Sequence, residues 1–286
     1  MPLTRPFQDR LRFLNRYLAK LLVTLLGHFR LPAFGLLPRK CLFAMCFFLF
    51  ELENGRFLYC CVLVTRCEST LGKILRLVQW PSHVDSTLEG VRRDPRWLAL
   101  LQPLLGSNVK QIINQLHWKP PGATAADFAF HQDVRFRRPR SAYRNLVHSY
   151  VQTGLAIDRH APDSGALRLL PSSHAMGEIE IAGEGPVHDQ KMADARLARF
   201  GLDPAQLVDV ALEPGDLALW NLYTIHGSGP NCTAHDRRFY LNGYVRAEDC
   251  DRGEWTFRQG VPMRLGNPAL VHYDDLFVRP DPHYVE

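Results

Sequence analysis

No apolar run in this sequence is long enough to cross a bilayer as a helix. The longest, Cys41 to Phe50, ends after ten residues at Glu51, against about 20 for a spanning helix. A cysteine framework is lacking as well. The seven cysteines are odd in number and irregular in spacing, and five of them precede residue 68. That excludes a disulfide-stapled fold and suits a reducing, cytoplasmic setting. Adjacent Cys60 and Cys61 lack the gap that a tetrahedral zinc site needs. Acidic residues are nearly missing from the first 40 positions, where eight Lys or Arg stand against Asp9 alone, a net charge of +7. The remaining residues are net −2, so the total of +5 comes from this arm. The body therefore carries no nucleic-acid footprint.

The 286 residues, 46% hydrophobic and 22% charged, suit one large domain with an appendage. Residues 1–70 are expected to be a basic, Cys-rich N-terminal extension and residues 71–286 the functional domain. Within the arm, Leu11 to Leu26 has helical spacing with basic residues between, which fits a targeting or membrane-surface helix or a loosely attached extension. Two apolar runs flank Glu53-Asn54-Gly55-Arg56, a hairpin signal, although a helix pair fits nearly as well. Thr70 to Trp80 and Asp85 to Leu105 read as helices, the second ended by Gly106. Short strands follow: 108–118, 127–134, 149–157, 166–171, 207–212, 216–221 and 237–245. Turns at Asp163-Ser164-Gly165 and Glu213-Pro214-Gly215-Asp216 separate some of them. A polar stretch, 175–205, holds one short helix near Lys191 to Arg199. Many short strands at near-regular spacing suggest a barrel or sandwich.

His131 and Asp133 stand two apart. On a strand, residues i and i+2 share a face, so an imidazole and a carboxylate can aim at one point. Two His and one carboxylate on one side of a metal, with open positions opposite, mark oxygen-activating Fe(II) sites. The third ligand must come from a distant part of the chain, and His174 and His226 are the candidates. His226 opens His-Gly-Ser-Gly-Pro-Asn, whose glycines allow a tight turn beside a metal. Arg237 lies eleven residues further on, where a turn and a strand return would place it on a strand next to that of His226. There it could clamp a carboxylate with its planar fork. His226 is therefore preferred, and His174 reads as a strand-end hydrogen-bonder. His117, His148, His160, His188, His235 and His272 lack a paired ligand at useful spacing and read as surface or satisfied core residues.

KPPG (119–122), FHQD (130–133), DSGALRLLPSSH (163–174), EPGDLALWN (213–221) and HGSGPN (226–231) followed by Arg237 resemble, in order and spacing, the phytanoyl-CoA dioxygenase family of Fe(II)/2-oxoglutarate oxygenases. The likeness runs from about residue 85 to 246. It implies a mainly β fold with flanking helices around a double-stranded β-helix, the jelly-roll or cupin-like core. It also implies Fe(II) on His131, Asp133 and His226, with 2-oxoglutarate and O₂ as co-substrates. Arg237 would hold the far carboxylate of 2-oxoglutarate, and Gln115 and Gln152 stand where the family touches that co-substrate. A carboxylate at 133 implies hydroxylation, since related halogenases carry a small residue there. Succinate and CO₂ would be the by-products. One departure is Ser172-Ser173-His174, where the family usually has Gly before Ser.

The substrate is expected to be a small organic molecule. Arg135, Arg137, Arg138, Arg140 and Arg144 suit either an anionic substrate group or a solvated basic loop. Trp220 and Tyr223 would line the pocket or fill the core. Two other functions fit the fold: a non-catalytic relative acting as a binding or scaffold module, and a cupin-like metal enzyme that does not use 2-oxoglutarate. The oligomeric state is not legible in the sequence.

Overall fold

A computed structural model describes residues 43–52, 56–69, 72–83, 85–123, 126–137, 140–181 and 192–266, with side chains from Arg76 onward. The helix expected over Leu11 to Leu26, together with Arg138, His188 and His272, lies outside the described residues. Among the described residues the chain is mainly β with a few short helices, and no helix is long and apolar enough to cross a membrane.

Two sheets form. The larger has nine strands among the described residues. Its main path starts with β1 (Phe43–Leu52), β2 (Arg56–Ser69), β3 (Gly72–Gln79) and β4 (Val109–Lys119). It continues through β11 (Arg237–Arg246) and β6 (Tyr150–Ala156) to β9 (Leu217–Trp220), while β12 (Glu254–Arg258) joins β4 and pairs with β13 (Val261–Pro262). The smaller sheet runs β5 (Phe128–His131), β10 (His226–Ser228), β7 (Leu167–Leu169) and β8 (Val208–Val210). β1 and β2 pair antiparallel with Leu52 opposite Arg56, which is the hairpin that Asn54-Gly55 signals.

Two expectations are corrected. The segment read as a helix over Thr70 to Trp80 is β3. Short apolar runs fit either period, and here the open edges of β2 and β4 supply a ladder on both sides. The single helix expected over Asp85 to Leu105 is two, α1 (Ser86–Arg92) and α2 (Pro95–Leu105). Proline cannot continue a helix from the preceding turn but suits a first helical position. Asp94 therefore caps a new helix at Arg96 N, as Asp85 caps the first at Thr87 N and Leu88 N.

These helices cover one face of the large sheet. Leu88 packs with Leu116, Leu155 and Tyr240, and Trp97, Leu101 and Leu105 pack with Val109, Val151, Tyr244 and Phe257. On the alternate positions Ala156, Trp220 and Phe239 meet Leu167 of the small sheet. The Phe239 ring lies across Gly154, where a Cβ would fall 1.9 Å from Phe239 Cζ. Gly154→Ala is expected to overpack this layer and cost about 1–3 kcal/mol. Urea denaturation of the variant measures it, and unchanged stability would mean that the ring has room to move.

Candidate metal and co-substrate site

Antiparallel pairing puts His226 directly opposite His131, across β10 and β5. β5 stops at His131, and Asp133 opens a 3-10 turn rather than continuing the strand. The i, i+2 geometry thus comes from a strand end and the turn after it. His131 Nε2 lies 3.6 Å from Asp133 Oδ1, and His226 Nε2 lies 3.7 Å from Asp133 Oδ2. The three candidate ligand atoms are all within 4.8 Å of one another, and all three residues are buried. His131 Nδ1 sits 2.7 Å from the Ala129 carbonyl and His226 Nδ1 2.9 Å from the Thr224 carbonyl. A carbonyl only accepts, so each Nδ1 carries the proton and each Nε2 presents a lone pair to the shared point.

The electrostatics agree. Burial, against the pull of Asp133, holds His226 down at about 4, so it is neutral and able to ligate at neutral pH. Burial raises the Asp133 pKa, but the two imidazoles in their protonated form, and Arg137, outweigh it and hold the carboxyl below its ordinary range. Its Oδ2 is buried without a hydrogen-bond partner. A buried carboxylate oxygen left over between two imidazole lone pairs fits a divalent cation. Two imidazole nitrogens and one carboxylate are a donor set that suits Fe(II).

Arg237 is 2% exposed, and its Nε has no hydrogen-bond partner among the described residues. Its guanidinium rests on the Phe239 ring, which is stacked on Trp220, and Trp220 in turn meets the His226 ring at 5.5 Å. The position corrects one expectation. β11, which carries Arg237, is flanked by β4 and β6, whereas β10, which carries His226, is in the other sheet. The two residues therefore stand in different sheets rather than on neighbouring strands.

Arg237 is not the only cation there. Lys119, its cross-strand partner, is fully buried and donates to Ser228 Oγ at 2.7 Å and to the Gly229 carbonyl. Arg76 is buried too, over the Phe128 ring at 4.8 Å and bonded to the Asp127 carbonyl. It was not legible in the sequence. Thr65 pairs with Leu77 and Arg66 with Leu75, so Arg76 is the extra residue of a β-bulge, a device that re-aims a side chain. Burial, then Arg76, pull the Arg237 pKa down to about 9. Burial, then Arg237 and Arg76, push Lys119 well below its ordinary value. Arg237 and Lys119 are buried side by side across β11 and β4, an arrangement that an anion would relieve.

Gln115 shares the inward face with His117, Lys119 and Arg237, and its Oε1 lies 2.9 Å from His117 Nε2. Gln152 is buried on β6 opposite Trp220 and accepts from the Tyr150 hydroxyl. The arginine loop divides. Arg137 turns inward and bonds Tyr150, whereas Arg140 pairs with Glu178 and Arg144 with Asp251. His174 is exposed, away from the triad, but Ser173 beside it bonds the Leu170 carbonyl and the Ile225 amide next to His226.

Ser172 has φ +63°, which explains the glycine expected at that place. Ser172→Gly is expected to stabilise the protein by about 1 kcal/mol, the typical cost of a side chain in the left-handed region. Chemical denaturation measures it, and a loss of stability would contradict it. The turn motifs interlock. Asn231 donates to the carbonyls of Lys119, Pro120 and His235, tying KPPG to HGSGPN. At Gly165 (φ +73°) a Cβ would lie 2.4 Å from the Gly229 carbonyl oxygen.

The sequence profile of the phytanoyl-CoA dioxygenase (PhyH) family matches residues 75–239. A probable alpha-ketoglutarate-dependent hypophosphite dioxygenase of Stutzerimonas stutzeri is 28% identical over 185 residues, 62% of this chain and 59% of the relative. A methylphosphonate hydroxylase of Gimesia maris is 28% identical over 153 residues, 53% of this chain and 52% of the relative. The chain thus matches between half and three fifths of these relatives' length. In fold it is similar to the crystal structure of AviO1 from Streptomyces viridochromogenes, with a TM-score of 0.51 and 17% identity, over 87% of this chain and 88% of that one.

Proposed function

The chain belongs to the phytanoyl-CoA dioxygenase family, and from that premise we propose that it is an Fe(II)- and 2-oxoglutarate-dependent dioxygenase. It hydroxylates a small organic substrate and releases succinate and CO₂. The observation that carries this function is the convergence of His131, Asp133 and His226 in one buried cluster. The two opposed sheets around them fit a double-stranded β-helix within residues 71–286, with residues 1–70 an N-terminal extension whose strands β1 and β2 continue the large sheet.

His131, Asp133 and His226 hold the iron. Arg237 receives the far carboxylate of 2-oxoglutarate, and Gln115 and Gln152 contact the same molecule. When bound, the iron, 2-oxoglutarate and O₂ supply the oxidising chemistry. The chain's own part is to bind, orient and exclude water. The Nδ1 hydrogen bonds fix both imidazoles. The stack of Phe239 on Trp220 supports the guanidinium. Burial of His131, Asp133, His226, Arg237 and Gln152 strengthens their pull on a charged ligand.

The substrate is anionic in this proposal. Lys119 places a second buried cationic side chain beside Arg237, and one relative is named a probable hypophosphite dioxygenase, after a small oxyanion. The test is succinate formation from 2-oxoglutarate with Fe(II) and ascorbate, screened over small carboxylates, phosphonates and neutral analogues. Turnover is expected with an anion and not with its neutral ester. Failure with every candidate, together with no binding of 2-oxoglutarate, would favour the scaffold function.

A further inference from the structure

Arg137 and Tyr150 are buried together beside the site. Arg137 is 1% exposed, and its Nη2 donates to the Tyr150 hydroxyl at 3.1 Å while its guanidinium lies over the Tyr150 ring. Tyr150 Oη in turn donates to Gln152 Oε1. The direction of this chain of bonds is not arbitrary. Guanidinium only donates, so the phenol oxygen accepts from Arg137 and its single hydrogen goes to Gln152. The amide oxygen is then the end turned to Tyr150. The amide nitrogen, with two hydrogens, is left for another partner and finds none among the described residues.

The neighbours put Gln152 beside the site. Gln152 is opposite Trp220 in the β6–β9 register, and Trp220 meets the His226 ring. Arg137 and Tyr150 both feel the Asp133 charge. The backbone makes room for the pair at Gly243 on β11, where a Cβ would fall 2.1 Å from Tyr150 Oη and 2.9 Å from Gln152 Oε1.

We propose that Tyr150, oriented by Arg137, is a positioning residue that fixes the Gln152 amide with its nitrogen toward 2-oxoglutarate. Gln152 then presents two N–H donors, polarised by a buried cation two bonds away, to the oxygens of the keto acid. The inference rests on the proposed contact between Gln152 and 2-oxoglutarate and adds what sets its polarity.

Calorimetric titration of 2-oxoglutarate into the Mn(II)-loaded full chain tests it. Q152A is expected to bind about tenfold more weakly, a typical loss for a hydrogen bond to a charged ligand. Y150F is expected to bind several-fold more weakly with its thermal midpoint largely kept. Because Tyr150 acts through Gln152, the double variant should bind no more weakly than Q152A, within about twofold. Multiplying losses in the double variant, or wild-type binding by Y150F, would overturn the inference alone. Wild-type binding by Q152A would remove the Gln152 contact itself, and the relay with it. If Y150F does not fold, Gln152→Glu decides. It keeps an oxygen facing Tyr150 and turns the ligand-facing nitrogen into a second oxygen, so it should bind more weakly than Q152A. Equal or tighter binding would overturn the proposal.

Discussion

Asp133→Ala is expected to abolish turnover and to weaken binding of a divalent metal by more than about 100-fold, the upper range for losing a mere outer partner of a metal ligand. The reason is the charge balance of the site. His131 and His226 supply two lone pairs, and Asp133 is the one carboxylate within their reach among the described residues. Without it the ion keeps its full double charge in a buried cluster bordered by Arg137. Thermal unfolding with added Mn(II) reads the loss separately from activity. A metal at 100 times its Kd stabilises the folded state by about 2.7 kcal/mol, and the variant should lose that gain. A variant that kept metal-dependent stabilisation and turnover would remove Asp133 from the ligand set.

Arg237→Ala should act on the other half of the site. Metal binding is expected to stay near wild type, while the apparent affinity for 2-oxoglutarate falls by about 10²- to 10³-fold. That range follows from the 2–5 kcal/mol typical of truncating one partner of a buried, hydrogen-bonded charge pair, at 1.4 kcal/mol per factor of ten. Arg237→Lys keeps a charge but not the planar fork, and should recover only part of the loss. Lys119 and Arg76 stay behind in the variant, so some attraction for a carboxylate survives. The measurement is 2-oxoglutarate dependence of succinate release, with calorimetric binding beside it. Activity intact without dependence on 2-oxoglutarate would instead indicate a cupin-like metal enzyme of another kind.

How much of this was legible beforehand depended on whether the cause was local. The spacing of His131 and Asp133 made them candidates only, and His226 was preferred over His174 for the glycines after it and, more, for an Arg237 expected on the neighbouring strand, which the sheet order does not bear out. The interlocking of Gly165 with the Gly229 carbonyl shows why those turns carry small residues. Ser172 marked itself as a departure, and its positive φ gives the reason. What could not be read was set by pairing across the fold. Period counting does not distinguish a strand from a helix in a run as short as β3. No local signal places β10 and β11 in different sheets. Arg76 became part of the site through a bulge defined only against β2. The arginine loop looked uniform in sequence, yet Arg137 is buried while Arg140 and Arg144 pair on the surface. Side chains that differ only in which way the backbone turns look alike in the sequence.

The most direct measurement is metal stoichiometry on the full chain. Anaerobic calorimetry with Fe(II), repeated with Mn(II), should give one ion per chain for the wild type and no specific binding for His226→Ala. Tight, equimolar binding that persists when residues 131, 133 and 226 are all replaced would contradict a shared ferrous centre and place the metal somewhere else.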